Sequence, residues 1–176
     1  MAGLVLDVSE LVARPGASRG VRGEFRVPGL TTALGSVGDD EPVVVDLVAD
    51  GVSEGIAVTG TVSATAHLSC SRCLIGYDQT VVQPVDETYY FGGEGEERDG
   101  YDVVNNHIDL EPMLRDVIML ALPSRPLHDE NCRGLCAICG ADLNRGDCGH
   151  DRTPVDLRWA PLEALRGALT EPERSN

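Results

Sequence analysis

The clearest alternation of apolar and polar positions in the chain runs from residue 56 to residue 68. Every second position there holds an aliphatic residue or glycine, and small or polar residues such as threonine fill the positions between. Because the side chains of a β-strand point alternately to opposite faces, this pattern predicts a strand with one buried face. The residues of that predicted face are Ile56, Val58, Gly60, Val62, Ala64, Ala66 and Leu68.

Two more strand patterns flank this segment. Val43 to Val48 is a short aliphatic run, and Tyr77 to Phe91 is rich in the valine, threonine and tyrosine that strands favour. The later segment follows the alternating strand after the short turn Cys70–Cys73, so the pair is predicted to form a hairpin with this turn at its tip. The glycine- and acid-rich residues 92–102 predict a mobile loop.

The first 40 residues give a weaker pattern. Leu4 to Val12 predicts a strand or a short helix, and repeated glycine and proline predict loops after it. This part also holds the only locally basic stretch, which we interpret as a solvated arm rather than a phosphate-binding one. Its arginines are Arg14, Arg19, Arg22 and Arg26.

A helix is predicted over residues 109–122. Asp109 suits the N-cap position, Pro112 falls in the first turn, where proline is tolerated, and prolines follow the last apolar residue. Its apolar residues recur at helical spacing and form one face. That face consists of Leu110, Met113, Leu114, Val117, Ile118 and Ala121. A shorter helix is predicted over Pro161–Leu169, with Trp159 packed against it.

Together these elements predict an α+β fold. We expect an antiparallel β-sheet or hairpin core with one packed helix, followed by a metal-bound C-terminal segment rich in cysteine and histidine. The predicted division places the β-rich core and its helix in residues 1–126. Residues 127–176 then form the metal-binding segment with the short helix, and the two parts are expected to make one integrated domain.

The charge of the chain narrows the range of partners. Its 176 residues carry 29 acids against 14 basic residues, all arginine, for a formal charge of −15. Residues 41–107 alone hold 12 acids and two arginines. Such a field repels phosphate backbones and favours basic partners. No apolar run is long enough to span a membrane and the first residues do not resemble a signal peptide, so we expect a cytoplasmic protein without membrane attachment.

The cysteines and two of the histidines occur as four close pairs. Zinc in structural sites takes four sulfur or nitrogen ligands, often delivered in such pairs, so eight ligands predict two Zn²⁺ sites. The simplest partition gives a local site to the last two pairs and a long-range site to the first two, which would tie the hairpin tip to the C-terminal segment. The pairs are Cys70 with Cys73, His128 with Cys132, Cys136 with Cys139, and Cys148 with His150.

A second partition stays open. It places one all-cysteine site on Cys132, Cys136, Cys139 and Cys148, and leaves Cys70 and Cys73 free or in another role. With four protein ligands to each metal and no catalytic motif nearby, the sites are expected to be structural and the protein not to be an enzyme. A redox role for Cys70 and Cys73 is disfavoured, because strand-like residues rather than a helix follow them.

Several motifs in the same order resemble the large ribosomal RNA subunit accumulation proteins, the YceD-like family. They are the opening DVSELVARPG (residues 7–16), CSRCL after the alternating strand (70–74), IDLEPMLRDVIMLALPSRPLH (108–128) and CRGLCAICGADLN (132–144). The similarity runs over about residues 5–169. The chain departs from the family pattern at Ile75, where an acid is common, and at Leu157, where a proline is common.

The resemblance implies a non-enzymatic ribosome-assembly factor needed for accumulation of large-subunit (23S) rRNA. The expected partner is a large-subunit ribosomal protein or a pre-ribosomal particle, and the charge favours a basic ribosomal protein over direct contact with rRNA. Two alternatives remain. One is a zinc-ribbon module that binds rRNA directly, and the other is a redox-sensing zinc protein that releases its metal on oxidation.

Overall fold

The computed structural model describes residues 4–92 and 100–150, which form eight strands and two helices. The chain divides into two compact units, Met1–Cys132 and Arg133–Asn176, and the helices and strands of the described residues all lie in the first. The strands are β1 (Val5–Asp7), β2 (Ser18–Phe25), β3 (Gly35–Ser36), β4 (Val43–Val52), β5 (Gly55–Ser69), β6 (Gly76–Phe91), β7 (Tyr101–Val103) and β8 (His107–Asp109). The helices are α1 (Ser9–Val12) and α2 (Leu110–Ala121).

The main sheet has six strands. Its order is β2-β4-β5-β6-β7, and the short β3 pairs with the far end of β5. All pairs are antiparallel except β6 with β7, and β1 pairs with β8 in a separate two-stranded sheet. The β5–β6 pair runs without interruption from Gly55 opposite Tyr90 to Ser69 opposite Gly76, so the predicted hairpin is confirmed.

The inner face of the sheet forms most of the core. Alternate residues of β4 and β5 are buried, which confirms the predicted buried face of β5 except at Gly60, which is half-buried. Gly60 has φ +141°, and a Cβ there would overlap the backbone of Asp46 and Leu47 on the neighbouring strand. Only glycine fits this close approach of the two strands.

Helix α2 packs across the sheet as its sequence predicts. Asp109 is the N-cap, and its side chain accepts a hydrogen bond from the Glu111 backbone N–H. The Tyr89 hydroxyl of β6 donates to the Asp109 carbonyl at 2.9 Å, which fixes the start of the helix against the sheet. The buried residues of the helix are Leu110, Met113, Leu114, Val117 and Ile118, whereas Ala121 is only half-buried.

The prediction of loops after Val12 is wrong for residues 18–25. Strand β2 pairs with β4 over its full length and forms an edge of the sheet. None of its side chains is fully buried, and its two apolar residues, Val21 and Phe25, are only half-buried against the core. Its strand structure therefore depends largely on backbone pairing with β4. The arginines of this stretch are therefore not on a detached arm, and Arg22 pairs with Asp46 of β4 at 2.7 Å.

Four predictions lie outside the described residues or stay untested. The helix over Pro161–Leu169 and the packing of Trp159 fall in the undescribed C-terminal part, and most of the acidic loop falls in a second undescribed range, residues 93–99. The expectation of one integrated domain stays a prediction. Over residues 4–92 and 100–150, no helix has the length and hydrophobicity needed to cross a membrane.

Candidate metal centres

The first group of four potential ligands lies at the tip of the β5–β6 hairpin. Cys70 and Cys73 come from the turn between the strands, and His128 and Cys132 come from the segment after α2. We call these four residues the first cluster. Their ligand atoms all lie within 4.8 Å of one another, although 54 residues separate Cys73 from His128 in the sequence. The long-range grouping predicted from the sequence is the one that the fold brings together.

The turn of the first cluster has a defined hydrogen-bond pattern. The Cys70 backbone N–H donates to the Ile75 carbonyl, and the Leu74 N–H donates to the Cys70 carbonyl, both at 2.9 Å. Residues 70–75 with this pattern are called the first knuckle below.

Three contacts hold the first knuckle against the segment that supplies the other two ligands. The Arg72 guanidinium donates from Nη1 to the carbonyls of Cys132, at 2.8 Å, and Glu130, at 3.2 Å. The Ser71 backbone N–H donates to the Pro126 carbonyl at 2.8 Å. Sequence reasoning missed this role of Arg72, and its position between the two cysteines is the only signal that pointed to it.

The second group consists of Cys136, Cys139, Cys148 and His150, and we call it the second cluster. Its ligand atoms also lie within 4.8 Å of one another, and all four residues belong to the second unit. The Leu143 backbone N–H donates to the Gly134 carbonyl at 3.0 Å, which closes the chain around the cluster. The site is local in sequence, as its spacing predicts.

A second knuckle, residues 136–141, repeats the pattern of the first. The Cys136 N–H donates to the Ala141 carbonyl and the Gly140 N–H donates to the Cys136 carbonyl, both at 2.8 Å. The two knuckles are thus turns with the same backbone hydrogen bonds, and each contributes two cysteine sulfurs to its cluster.

The ligand separations fit a tetrahedral metal site. With metal–sulfur bonds of about 2.3 Å and metal–nitrogen bonds of about 2.0 Å, tetrahedral geometry places two sulfurs about 3.8 Å apart and a sulfur and a nitrogen about 3.5 Å apart. The Cys70 and Cys132 sulfurs are 3.8 Å apart, and the Cys73 sulfur lies 3.4 Å from His128 Nδ1. In the second cluster the Cys136 sulfur lies 3.9 Å from His150 Nδ1.

Disulfide chemistry does not explain these groups. A disulfide needs sulfurs about 2.05 Å apart, and none of the six cysteines is in a disulfide. Three thiols and an imidazole that converge on one point are instead the donor set of a structural zinc site. Each of the two clusters can therefore hold one metal ion.

The two clusters differ in their exposure to solvent. In the first, Cys70 and Cys132 are buried, Cys73 is half-buried and only His128 is exposed. In the second, Cys136 is buried, but Cys139 and His150 are exposed and Cys148 is half-buried. An ion in the first cluster would be the better shielded of the two.

The thiols within each cluster have unequal acidity. Burial raises the pKa of Cys70, but hydrogen bonds from the His128 side chain and from nearby backbone N–H groups outweigh it and lower that pKa. The Ile75 N–H lowers the pKa of Cys73, yet burial and the thiols of Cys70 and Cys132 outweigh it and raise that pKa. One sulfur of the cluster thus favours the thiolate by itself, and a bound cation would favour the thiolate in all three.

The remaining histidines lie outside both clusters. His67 lies on the outer face of β5 between Asp78 and Glu41, and the His107 ring contacts the Asn105 carbonyl. Neither belongs to a group of converging ligands in the described parts of the chain. Cys132 lies with Cys70, so the structure does not assemble the all-cysteine group of the second partition.

Comparison with known proteins gives a family match. The sequence model of the family described as large ribosomal RNA subunit accumulation protein YceD matches residues 58–166. An uncharacterized protein of Mycobacterium tuberculosis is 32% identical over 170 residues, covering 93% of this chain and 82% of its own length. One from Mycobacterium leprae is 32% identical over 167 residues, covering 90% of this chain and 76% of its own length.

A plant protein also matches. The large ribosomal RNA subunit accumulation protein YCED homolog 1 of Arabidopsis thaliana, described as chloroplastic, is 25% identical over 166 residues, covering 77% of this chain and 52% of its own length. No solved structure matches. The matched range of the family model includes both knuckles and all eight ligands.

Proposed function

This chain belongs to the YceD family of large ribosomal RNA subunit accumulation proteins, and we propose that it is a non-enzymatic, zinc-binding ribosome-assembly factor. The family name supports a role in accumulation of large-subunit rRNA. In the proposal, Zn²⁺ in both clusters stabilises the fold, and the acidic surface binds a basic ribosomal protein of the large subunit.

The observation that carries the metal assignment is the pair of four-ligand clusters. Each has three sulfurs and one imidazole nitrogen within 4.8 Å of one another. The separations in the first cluster match a tetrahedral site, and the sulfur–nitrogen separation of 3.9 Å in the second is slightly longer than that geometry gives. Four protein ligands leave no open position for a substrate or a water, so a zinc ion there would serve the fold and not catalysis. This is why we propose a binding role for the protein.

The choice of a basic protein as partner is supported by the outer face of the sheet. Strand alternation puts Asp46 of β4 and Asp86 of β6 on the solvent side, and both are exposed, although Arg22 pairs with Asp46. A closed cluster of three thiolates, one neutral histidine and Zn²⁺ carries a net charge of about −1, so bound metal does not make this surface basic. A phosphate backbone would meet repulsion here, whereas lysine and arginine side chains would meet attraction.

The structure also weakens the direct rRNA-binding alternative. Three of the four arginines of the basic stretch, Arg19, Arg22 and Arg26, lie on or beside β2 and engage protein groups. Arg22 pairs with Asp46, and Arg19 and Arg26 donate to the carbonyls of Asp7 and Asp40. The Asp46 carboxylate offsets the charge of Arg22, which reduces the attraction of this strand for a phosphate backbone, so protein binding is the favoured route.

The proposal is tested by binding measurements with the metal-bound protein. It is immobilised and offered either rRNA-free proteins extracted from the large ribosomal subunit or protein-free 23S rRNA, at about 50 mM and about 300 mM salt. We expect retention of a basic ribosomal protein that weakens at the higher salt, and no retention of rRNA. Retention of rRNA without any ribosomal protein would support the zinc-ribbon alternative and contradict the proposal.

A charge variant identifies the surface used in that assay. Asp46→Asn combined with Asp86→Asn removes two charges from the outer face, and we expect it to weaken the retention of the basic protein. Glu10→Gln, on the exposed side of α1, is the matched control for loss of an acidic charge and should bind as the wild type does. Equal retention by all three proteins would exclude this face as the contact surface.

A further inference from the structure

The two knuckles form the same turn, but they have different residues at one position where that turn has a left-handed backbone. The fifth residue of each turn adopts a left-handed backbone, with φ +61° at Leu74 in the first knuckle and φ +72° at Gly140 in the second. Glycine adopts this conformation without steric cost, whereas in leucine the Cβ atom comes too close to the backbone and makes the conformation unfavourable. In the described residues, the other non-glycine residues with positive φ are Asn105 and Asn106, and asparagine tolerates this region.

Leu74 is unfavourable for a second reason, because its apolar side chain is exposed to solvent. Leu74 is 64% exposed and the adjacent Ile75 is 52% exposed, so two large aliphatic side chains project side by side from the tip of the hairpin. The second knuckle has Gly140 and Ala141 at the same positions and forms the same hydrogen bonds. The turn therefore needs neither aliphatic side chain for its own geometry.

We propose that Leu74 and Ile75 form an apolar docking tip that inserts into the basic ribosomal protein bound by this chain. This inference rests on the proposed function and adds the place of contact. The first cluster would hold the tip rigid, since Cys70 and Cys73 lie in the same turn, and Arg72 fixes that turn to the backbone of residues 130 and 132. A rigid apolar projection loses little conformational entropy when it binds.

Charges beside the tip favour a basic protein over RNA as the occupant. Asp78, Asp129 and Glu130 are exposed on the strand and segment that flank the knuckle, against Arg72, Arg125 and His67, which pairs with Asp78. A zinc-filled first cluster would add a net charge of about −1, so the setting of the tip is acidic. Arg72 already donates to two carbonyls. Single-stranded RNA is usually held by aromatic stacking and basic grooves, and the tip offers aliphatic side chains in an acidic setting. An apolar pocket bordered by lysine or arginine is the complementary surface.

The substitution Leu74→Gly separates a docking role from a structural one. Glycine keeps the left-handed turn and removes the side chain, so the melting temperature should stay the same or rise by a few degrees, with unchanged zinc content. In the binding assay with rRNA-free large-subunit proteins, retention of the basic protein should weaken by about tenfold or more, as for a central apolar contact. Ile75→Ser should weaken it in the same direction.

Two controls match these variants. Leu120→Ala removes a leucine that is 86% exposed on α2, and Ile138→Ser removes an isoleucine that is 63% exposed on the second knuckle. Both should retain the basic protein as the wild type does. If they weaken binding as much as Leu74→Gly, the effect is not specific to the tip and the inference is wrong.

The outcomes also distinguish the inference from the proposed function. If the wild type retains a basic ribosomal protein and Leu74→Gly retains it equally well, the docking tip is excluded while the proposed function stands. If Leu74→Gly loses zinc or melts at a lower temperature, Leu74 has a structural role and the inference is overturned. If the wild type retains no ribosomal protein, both proposals fail.

Discussion

At the scale of single residues, Asp109 connects the helix to the sheet. Its carboxylate accepts the Glu111 N–H, and its carbonyl accepts the Tyr89 hydroxyl from β6. The sequence predicts the first contact, because an aspartate before an apolar helical pattern is a usual N-cap. It does not predict the second, because the partner is 20 residues away and is set by the sheet.

Asp109→Ala is expected to lower the free energy of unfolding by about 1 kcal/mol, because the helix loses its N-cap acceptor. Urea unfolding followed by circular dichroism measures the change. Asp109→Asn is the control, since asparagine also caps helices and should retain most of the stability. An alanine variant as stable as the wild type would show that the cap does not contribute.

His67 predicts a pH-dependent contribution to stability. The Asp78 carboxylate, 2.7 Å from Nδ1, and then Glu41, 2.9 Å from Nε2, raise the pKa of this histidine above its usual 6.5. A raised pKa in the folded state means that protonated His67 stabilises the fold below about pH 6.5, and that this contribution is lost as the pH rises through the folded-state pKa. NMR titration of the ring protons measures that pKa.

The matched variant for this titration is Asp78→Asn, which replaces the carboxylate whose hydrogen bond to the ring is the largest single cause of the raised pKa. The pKa of His67 should fall toward 6.5 in the variant while the fold is kept. A pKa at or below 6.5 in the wild-type protein would show that the two carboxylates do not act on the ring as the structure indicates.

At the scale of elements, the sequence predicts those strands and helices that bury one face. Strand β5 and helix α2 each bury one face, so their periodicities of two and 3.6 residues are visible in the chain. Strand β2 buries no side chain fully, and Gly20 and Gly23 interrupt the sequence around its two half-buried apolar residues, Val21 and Phe25, so the alternating pattern in its sequence is weak. Edge strands of this kind need the partner strand to be known.

The two clusters were predictable for a different reason. Pairs of cysteines and histidines have a spacing that metal coordination requires, and this spacing is independent of strand or helix patterns. The sequence alone does not show that the two knuckles form the same turn, or that Leu74 occupies a position where the second knuckle has glycine. Both facts follow from the hydrogen bonds and backbone angles of the two turns. The first knuckle carries an adjacent leucine and isoleucine, and the second forms the same turn with glycine and alanine there.

The clusters predict different effects of losing one ligand. Cys70→Ser should destabilise the first unit, lowering its melting temperature by about 10 °C or more, because the ligand joins the hairpin tip to a segment about 60 residues away. Cys148→Ser should disorder mainly residues 133–150 and leave the sheet folded. Amide hydrogen exchange resolved by residue measures both effects.

In the Cys70→Ser variant, faster exchange should reach strands β5 and β6 and helix α2. In Cys148→Ser, the same strands should exchange as slowly as in the wild type. If Cys70→Ser left both melting and exchange unchanged, the first cluster would not hold the first unit together.

At the scale of the whole molecule, charge and metal act on different properties. The formal charge of −15 governs which partners approach, and it is not a property of the fold. In the proposal, metal in the two clusters keeps the ligand-bearing segments structured, since these residues lie outside the main hydrophobic core. A ribosome-assembly factor of this kind would need both, because a shaped acidic surface is what would distinguish one basic partner from another.

The most direct test of the account is the zinc content of the chain. Protein purified without chelator is analysed for metal by mass spectrometry, alongside Cys70→Ser, Cys148→Ser and the double variant. We predict two zinc ions per wild-type chain, one in each single variant and none in the double variant. Wild-type protein that holds no metal, or a Cys70→Ser variant that still holds two ions, would contradict the account.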